Sequence, residues 1–495
     1  MAKTTDSSVV TPPEQDRVSR PYGAILAVLA FAGLGASFMQ TILIPLQSEL
    51  PALLNSTSEN TAWVITATLV AAAVCTPVAG RLGDMFGKRR VAMILLLLQA
   101  AGAVLAALST SVTPMIVARV LQGMAAGVIP LGISILRDVM PTHRLGSGIA
   151  LVSATLGVGG ALGLPVSAFV AERFDWHALF WLAAGIALAA FVLYALLVPA
   201  SELRSPGRVD VVGTIGLAIG LVSLLIAISR GGEWGWGATR TLVLLLGGLV
   251  VLLVWGAYEL RQREPLVDLR VSVRAPVLLT NLASVAMGFA LFASNVVFPQ
   301  LLQLPEASGI GLGLTLLTAS LVLAPSGLAM MAMSPVAGRI ERVWGPKWLL
   351  LGGSAVIAIS YGGALLFHAA AWQLLILNVV LGIGIGLGYA SMPALIMRAV
   401  PANESGAANG LNTLMRSLGT SLAAAIVGSL LAQSTMTVGG VTGPSESAFL
   451  TALAFGLGAS LLCLFIAAFI PRSHQAPTDP KTGRAEIPAL SADEL

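Results

Sequence analysis

Long apolar runs alternate with short polar segments along almost the whole chain. A membrane-spanning helix needs about 20 apolar residues, and fourteen windows reach that length. A membrane β-barrel would show alternation over about ten residues, whereas these runs are unbroken. The pattern predicts an all-α polytopic membrane protein with spans at 23–46, 61–80, 91–109, 113–136, 145–170, 177–199, 209–229, 239–260, 275–300, 311–337, 347–368, 372–398, 407–432 and 447–470.

Composition agrees with this class. Hydrophobic residues make up 56% of the 495 residues and charged residues only 10%, whereas soluble domains carry about 25% charged residues. The first span follows a polar tail and is too long for the apolar region of a signal peptide, so we expect it to be retained. The polar tails at 1–22 and 471–495 are predicted to be disordered.

The basic residues predict the orientation. With a cytoplasmic N-terminus, 22 of the 27 Lys and Arg residues fall on the inner side, which follows the positive-inside rule. The exceptions are Arg173, Arg230 and Arg240 outside, and Arg119 and Arg416 within spans. We therefore expect both termini in the cytoplasm and a location in the cell membrane. The net charge of +4 then reflects topology rather than nucleic-acid binding.

Several other classes lack support in the sequence. Cys75 and Cys463 lie inside spans and the four histidines are scattered, so no disulfide framework, metal site or cofactor is predicted. There is no nucleophile–base pattern typical of an enzyme. No GxxxxGK[ST] motif is present, which disfavours a nucleotide-driven pump.

Two segments recur at a nearly constant distance along the chain. GRLGDMFGKRR (80–90) is echoed by GRIERVWGPK (338–347), and RDVMPTHRLGSG (137–148) by MRAVPANESGAANG (397–410). Two independent matches predict duplicated halves, an architecture known among transporters. The halves are 23–199 and 275–470, and 200–274 is an inserted pair of helices with its linker. The first match aligns Gly80, Arg81 and Gly87 with Gly338, Arg339 and Gly345.

These segments resemble motifs of the major facilitator superfamily. GRLGDMFGKRR is similar to the family's loop between helices 2 and 3, RVLQGMAAG (119–127) to its fourth-helix motif, and GVGGALGLP (157–165) to its fifth-helix antiporter motif. Fourteen spans with SRGGEWGW (229–236) and REPLVDLR (263–270) resemble the drug:proton antiporter branch. The resemblance implies two six-helix bundles plus two inserted helices, and proton-coupled export of a drug, antibiotic or natural product by alternating access.

The loop at 80–90 is the predicted gate. Asp84 is an anion placed where the positive N-terminus of a helix from the other half could meet it when the cytoplasmic side is closed. Gly80 and Gly87 allow close approach and a tight turn. A topology signal plus a turn is the alternative interpretation. Anionic lipid headgroups are expected to contact three basic residues, Lys88, Arg89 and Arg90. The second copy has Arg342 in place of Asp84, after Glu341, so the gate is predicted to be asymmetric.

Charges inside spans are costly and therefore candidates for function. The resemblance implies a proton-relay or gating role for Arg119, and Gln122 lies one turn further on the same helix face. Bonding to backbone carbonyls is the alternative. For Arg416 we keep open a substrate-facing role and a structural one.

No Asp or Glu lies in the interior of a predicted span. The antiporters that the chain resembles carry an acid in the first helix at the position of Met39. A neutral or anionic amphiphile is therefore the expected substrate. Proton coupling would use groups nearer the span ends: Asp84 and Asp138 on the inner side, and Glu49 on the outer side. Asp138 could instead cap the fourth span, and Glu49 could be a solvated loop acid.

The fifth-helix motif is degenerate, because Leu164 separates Gly163 from Pro165. Gly159, Gly163 and Pro165 still permit tight packing and a bend, and plain packing is the alternative. Besides Arg119, Gln122 and Arg416, the predicted substrate cavity includes residues that could equally make ordinary interhelical contacts: Phe38, Gln40, Asn281, Phe292, Asn295 and Asn412.

Three alternative functions stay open at this point. A metabolite importer or exporter would use the same fold. A membrane sensor or assembly factor would be expected to lose the loop signature, which is intact. A channel is disfavoured by the duplicated gating loop. The expected partners are a small molecule, protons and the lipid bilayer, with no nucleic acid, and we expect a monomer.

Overall fold

The computed structural model describes residues 22–44, 46, 49–200, 209–262, 265–401, 404–438 and 441–471. Within these ranges, fourteen helices are long and apolar enough to cross a membrane, which confirms the predicted count. Apart from Tyr22 and Pro471, the tails predicted to be disordered lie outside the described residues, as do the first two residues of REPLVDLR.

The helices keep the numbers of the predicted spans. Their bounds are α1 Tyr22–Thr41, α2 Ser58–Phe86, α3 Lys88–Ala107, α4 Val112–Val139, α5 Thr142–Arg173, α6 Ala178–Leu197, α7 Val211–Trp234, α8 Thr239–Glu259, α9 Ala275–Gln303, α10 Leu316–Trp344, α11 Pro346–Leu366, α12 Ala371–Ala399, α13 Ser405–Gln433 and α14 Glu446–Phe469. Short helical segments lie at Leu50–Leu53, Leu269–Ser272 and Glu306–Ser308. A hairpin of β1 (Thr435–Val438) and β2 (Val441–Pro444) joins α13 to α14.

The helices form two bundles, α1–α6 and α9–α14, each around its own apolar core. The bundles meet where α2 packs on α13 and where α5 packs on α10 and α12. The inserted α7 and α8 pack on each other, and α7 also contacts α2 and α13 at one side of this interface. The inserted pair therefore touches both bundles.

Several helices extend beyond their apolar windows. α2 continues to Phe86 and stops at Gly87, whose φ of 103° few residues other than glycine adopt. α10 likewise ends at Gly345, with φ 88°. These glycines make the tight turns into α3 and α11, which confirms the turn predicted at Gly87. The polar residues before each turn are therefore helical: Arg81 and Asp84 in α2, and Arg339, Glu341 and Arg342 in α10.

Two basic residues occupy equivalent places after these turns. Arg89 donates to the carbonyl of Ala195 in the last turn of α6. Lys347 donates to the carbonyls of Ala468 and Ile470 at the end of α14, at 2.7 and 2.6 Å. Cations stabilise the negative C-terminal end of a helix. The expected lipid contact of Arg89 is therefore wrong: it caps a helix of its own bundle.

Arg89→Ala and Lys347→Ala should each lower the stability of the protein. Each change leaves terminal carbonyls without a donor and removes a favourable charge, at a cost of about 1 kcal/mol. Thermal unfolding of the purified protein measures this, with Arg90→Ala as the matched control because Arg90 is exposed. An equal loss in Arg90→Ala would contradict the capping role.

Candidate functional site

Asp84 joins the two bundles at the end of the molecule where the 80–90 loop lies, which we call the gate end. Its carboxylate accepts hydrogen bonds from the backbone amides of Gly406 and Ala407, at 3.1 and 2.8 Å. Both amides belong to the first turn of α13, and Asp84 is fully buried. This confirms the predicted meeting of the acid with a helix N-terminus of the other half.

The close approach depends on Gly80. A Cβ at this position would lie 2.2 Å from the carbonyl oxygen of Gly406, a distance no side chain tolerates. α2 and α13 are therefore in backbone contact one turn before Asp84. Arg137 adds hydrogen bonds across the same junction, to the carbonyls of Val400 and Pro401. The gate end is closed in this structure.

Lys88 is buried beneath the same junction. Its ammonium pairs with Asp138 at the end of α4, at 2.8 Å, and also donates to the hydroxyl of Ser405, at 3.3 Å. The expected lipid contact of Lys88 is wrong, because packing turns its side chain inward. Asp138 lies at the C-terminal end of α4, where a carboxylate is unfavourable, and Lys88 neutralises it.

The second copy of the loop closes the pseudo-symmetric junction. A Cβ at Gly338 would lie 2.8 Å from the backbone nitrogen of Ser147 in α5, so this glycine also permits backbone contact between the bundles. Glu341 lies against Gly146 and pairs with Arg398, at 3.3 Å. Arg339 is exposed. Glu341 thus takes the place of Asp84 with a side-chain partner instead of backbone amides.

Arg119 ties three helices of the N-terminal bundle together. Its guanidinium donates to the carbonyls of Met39 in α1 and Val64 in α2, at 2.9 and 3.3 Å, and to the side-chain oxygen of Gln122, at 2.8 Å. Arg119 is 1% exposed. The two bonds to backbone carbonyls are those expected if Arg119 has a structural role. The proton-relay or gating role stays a prediction.

The C-terminal bundle holds a second group of predicted cavity residues. The side-chain amide of Asn412 donates to Asn281 and to Ser284, at 3.0 and 2.7 Å. One turn further along α13, the guanidinium of Arg416 lies 4.6 Å from the ring centre of Tyr389 in α12. Such a cation–π contact stabilises a buried charge without an acid.

The glycines of the fifth-helix motif make close helix contacts. Cβ atoms at Gly159 and Gly163 would meet Ser37 and Thr41 of α1, and one at Gly157 would meet Met330 of α10. Pro165 lies inside α5. The motif helix is therefore packed between α1 and the other bundle, as the packing alternative expects.

Not all of the residues predicted to line the substrate cavity lie together in the structure. Phe38 is buried beside α5, Gln40 and Phe292 are half-buried, and Asn295 is exposed. Glu49 is exposed and precedes the short helix Leu50–Leu53. This short helix lies before the start of α2, whereas Asp84 lies near the end of α2. Within the described helices, each Asp and Glu lies within four residues of an end.

Ser405 and Arg137 are the functional candidates that the sequence reasoning missed. Both contact the gate junction. The repeat contained a signal for them, since each lies in or beside the second pair of matched segments. Only the folded chain shows that these segments face each other across the bundles.

Two repeated helical bundles, closed at one end by contacts between an acid and a helix start, are an arrangement found among membrane transporters. The family model described as Major Facilitator Superfamily matches residues 29–424 and 280–492. The chain therefore belongs to the major facilitator superfamily and is a multi-pass membrane transporter of small molecules.

Similar proteins include two that are named for antibiotic resistance. The chain is 28% identical over 339 residues to the lincomycin resistance protein LmrB of Bacillus subtilis, covering 68% of this chain and 69% of that protein. It is 28% identical over 440 residues to the tetracenomycin C resistance and export protein of Streptomyces glaucescens, covering 86% and 79%. The structure of the human organic anion transporter MFSD10 matches with a TM-score of 0.64 at 14% identity, over 90% of this chain and 99% of that chain, which supports the fold.

Proposed function

We propose that this transporter is a proton-coupled exporter of a small neutral or anionic amphiphile, such as an antibiotic. The observation that carries the proposal is the buried set of Asp84, Lys88 and Asp138 at the closed gate end. A carboxylate accepts stronger hydrogen bonds than a protonated carboxyl group, so a proton bound here would weaken the closure. Proton binding and opening of the predicted cytoplasmic side would then be linked.

The substrate class follows from the charges. Arg119 and Arg416 are buried cations, and the described span interiors hold no carboxylate to balance a cationic drug. The names of the relatives from Bacillus subtilis and Streptomyces glaucescens point to antibiotic export. Export by alternating access would begin when the gate end opens to the cytoplasm and would end with the closed gate seen here.

Inverted membrane vesicles with an acidic interior test this function. A panel of neutral, anionic and cationic amphiphiles, including lincomycin and tetracenomycin C, is added while the pH gradient is followed. We expect a neutral or anionic compound to dissipate the gradient only with the protein present. Asp138→Asn should abolish this effect by removing the negative charge that balances Lys88, whereas the exposed control Glu306→Gln should keep it.

The outcomes separate the coupled ion from the transport itself. If labelled compounds cross the membrane while the gradient is unaffected, proton coupling is wrong and another driving force is needed. If only cationic compounds dissipate it, the proposed substrate class is wrong.

A further inference from the structure

The inserted helix α7 is held to the N-terminal bundle by buried polar contacts. Ser229 and Thr66 of α2 lie within hydrogen-bond distance, with 3.2 Å between their hydroxyl oxygens. Arg230 donates to the backbone carbonyl of Glu59, and its guanidinium lies 4.9 Å from the ring centre of Trp63. Arg230 is 1% exposed although it lies near the end of a membrane helix. All these partners belong to α2.

The inserted helices α7 and α8 present an apolar surface to the C-terminal bundle. No hydrogen bond or ion pair joins α7 or α8 to α9–α14 among the described residues. A groove of about 600 Å³ separates them in part. It is lined by Leu224, Ile228, Trp236 and Leu245 of the inserted pair and by Val285, Leu418, Leu422, Ala425 and Ile426 of the bundle.

At the gate end, apolar contacts join the inserted pair and the segment that follows it to both α2 and α13. Leu266 and Val267, from the segment after α8, are buried with Leu217 of α7 between α2 and α13. The carboxylate of Glu259 at the end of α8 accepts the backbone amide of Leu266, at 3.1 Å. The segment is thus bonded to the inserted pair, while its contact with Leu411 and Leu414 of α13 is apolar.

These two surfaces respond differently when the bundles separate. The guanidinium of Arg230 is also paired with Glu233 of α7, at 2.5 Å, and this pair would remain. Separating α7 from α2 would still remove the hydrogen bond and the cation–π contact of a buried cation, which is unfavourable. An apolar helix surface can exchange its partner for lipid tails, because the tails are as apolar as leucine. We propose that the inserted pair moves with the N-terminal bundle as one rigid unit, and that α13 moves along its apolar surface. This inference rests on the proposed alternating access.

Three double-cysteine variants of the full chain test it, in a background with Cys75→Ala and Cys463→Ala. Thr66→Cys with Ser229→Cys joins α7 to α2. Gly232→Cys with Ser429→Cys joins α7 to α13, where the Cβ atoms would be 3.8 Å apart, the usual separation in a disulfide. The third, Gly146→Cys with Glu341→Cys, reports the gate end, because a Cβ at Gly146 would lie 3.6 Å from that of Glu341. Cross-linking rates with copper phenanthroline are measured in the purified protein, without any substrate.

A steric change opens the gate end independently of Asp84. Gly80→Val cannot fit against the carbonyl of Gly406, and Gly80→Ala is the milder second variant. We expect either change to slow cross-linking by about tenfold at the Gly146–Glu341 and Gly232–Ser429 pairs. The Thr66–Ser229 pair should keep its rate, which also shows that the variant is folded.

The remaining outcomes contradict the proposal in distinct ways. A slower rate at Thr66–Ser229 with an unchanged Gly232–Ser429 pair would assign the inserted pair to the C-terminal bundle. Changes at both pairs would mean that it moves independently. A change at neither, with a slower rate at Gly146–Glu341, would mean that α13 does not move along the inserted pair. Asp84→Asn, tested separately on the Gly146–Glu341 pair, reports on the proposed acid gate. An unchanged rate there overturns that gate and leaves the Gly80 result valid.

Discussion

Asp84→Asn is expected to lower the transport rate more than about tenfold. Each oxygen of the carboxylate accepts one backbone hydrogen bond from α13 in a buried site. Asparagine replaces one of these oxygens with an amide nitrogen, which is a donor and would face a backbone N–H. A hydrogen bond to a charged group contributes about 1.5–3 kcal/mol, and the favourable charge at the helix start is also lost. A loss of about 3 kcal/mol changes the balance between closed and open gate about a hundredfold. Initial rates in the vesicle assay measure the effect.

Glu341→Gln is the matched control for this change. Glu341 lies at the equivalent junction, but its partner is the side chain of Arg398 and it is partly accessible, so the neutral amide keeps a hydrogen-bond acceptor there. We expect a rate within about threefold of the wild type, since partly exposed ion pairs contribute little. A wild-type rate for Asp84→Asn, or an equal loss in Glu341→Gln, would contradict the asymmetric gate.

The contact of Asp84 could be predicted because it depends on features visible in the sequence. The loop has a fixed place between two spans, the repeat supplies the matching segment at 397–410, and an anion has a general preference for a helix N-terminus. The turn at Gly87 follows in the same way from a glycine between two helices. At Asp84 and Gly87, the repeat in the sequence and the chemical preference of the residue predict the same contact or turn.

Lys88 and Arg89 show where such reasoning fails. The positive-inside rule explains basic residues in a cytoplasmic loop without assigning them any contact, so the lipid interpretation needed no partner. The actual partners, Asp138 and the carbonyl of Ala195, lie 50 and 106 residues away. Only the packing of α3 against α4 and α6 brings them together, and no periodicity in the sequence encodes that distance. The polar contacts of Ser229 and Arg230 with α2 could not be predicted for the same reason, because their partners are distant in the sequence.

Arg119→Leu is expected to destabilise the protein as strongly as any single change in the N-terminal bundle. The substitution leaves the carbonyl of Met39, near the end of α1, without its guanidinium donor, and it also removes donors from Val64 and Gln122. Interhelical hydrogen bonds in membrane proteins contribute about 0.6–1.7 kcal/mol each, so three give about 2–5 kcal/mol. Thermal unfolding and expression level measure the loss.

Arg119→Lys separates a structural tie from a proton relay. An ammonium keeps the charge and up to three donors, but it lacks the planar fork that reaches three helices at once. If Arg119 acts through packing alone, Arg119→Lys should recover part of the stability, and transport should fall in proportion to the folded protein while its pH profile stays that of the wild type. A variant of wild-type stability with a shifted pH profile would instead assign Arg119 to the proton path. That assignment would place coupling inside the N-terminal bundle, away from the carboxylates of the gate end.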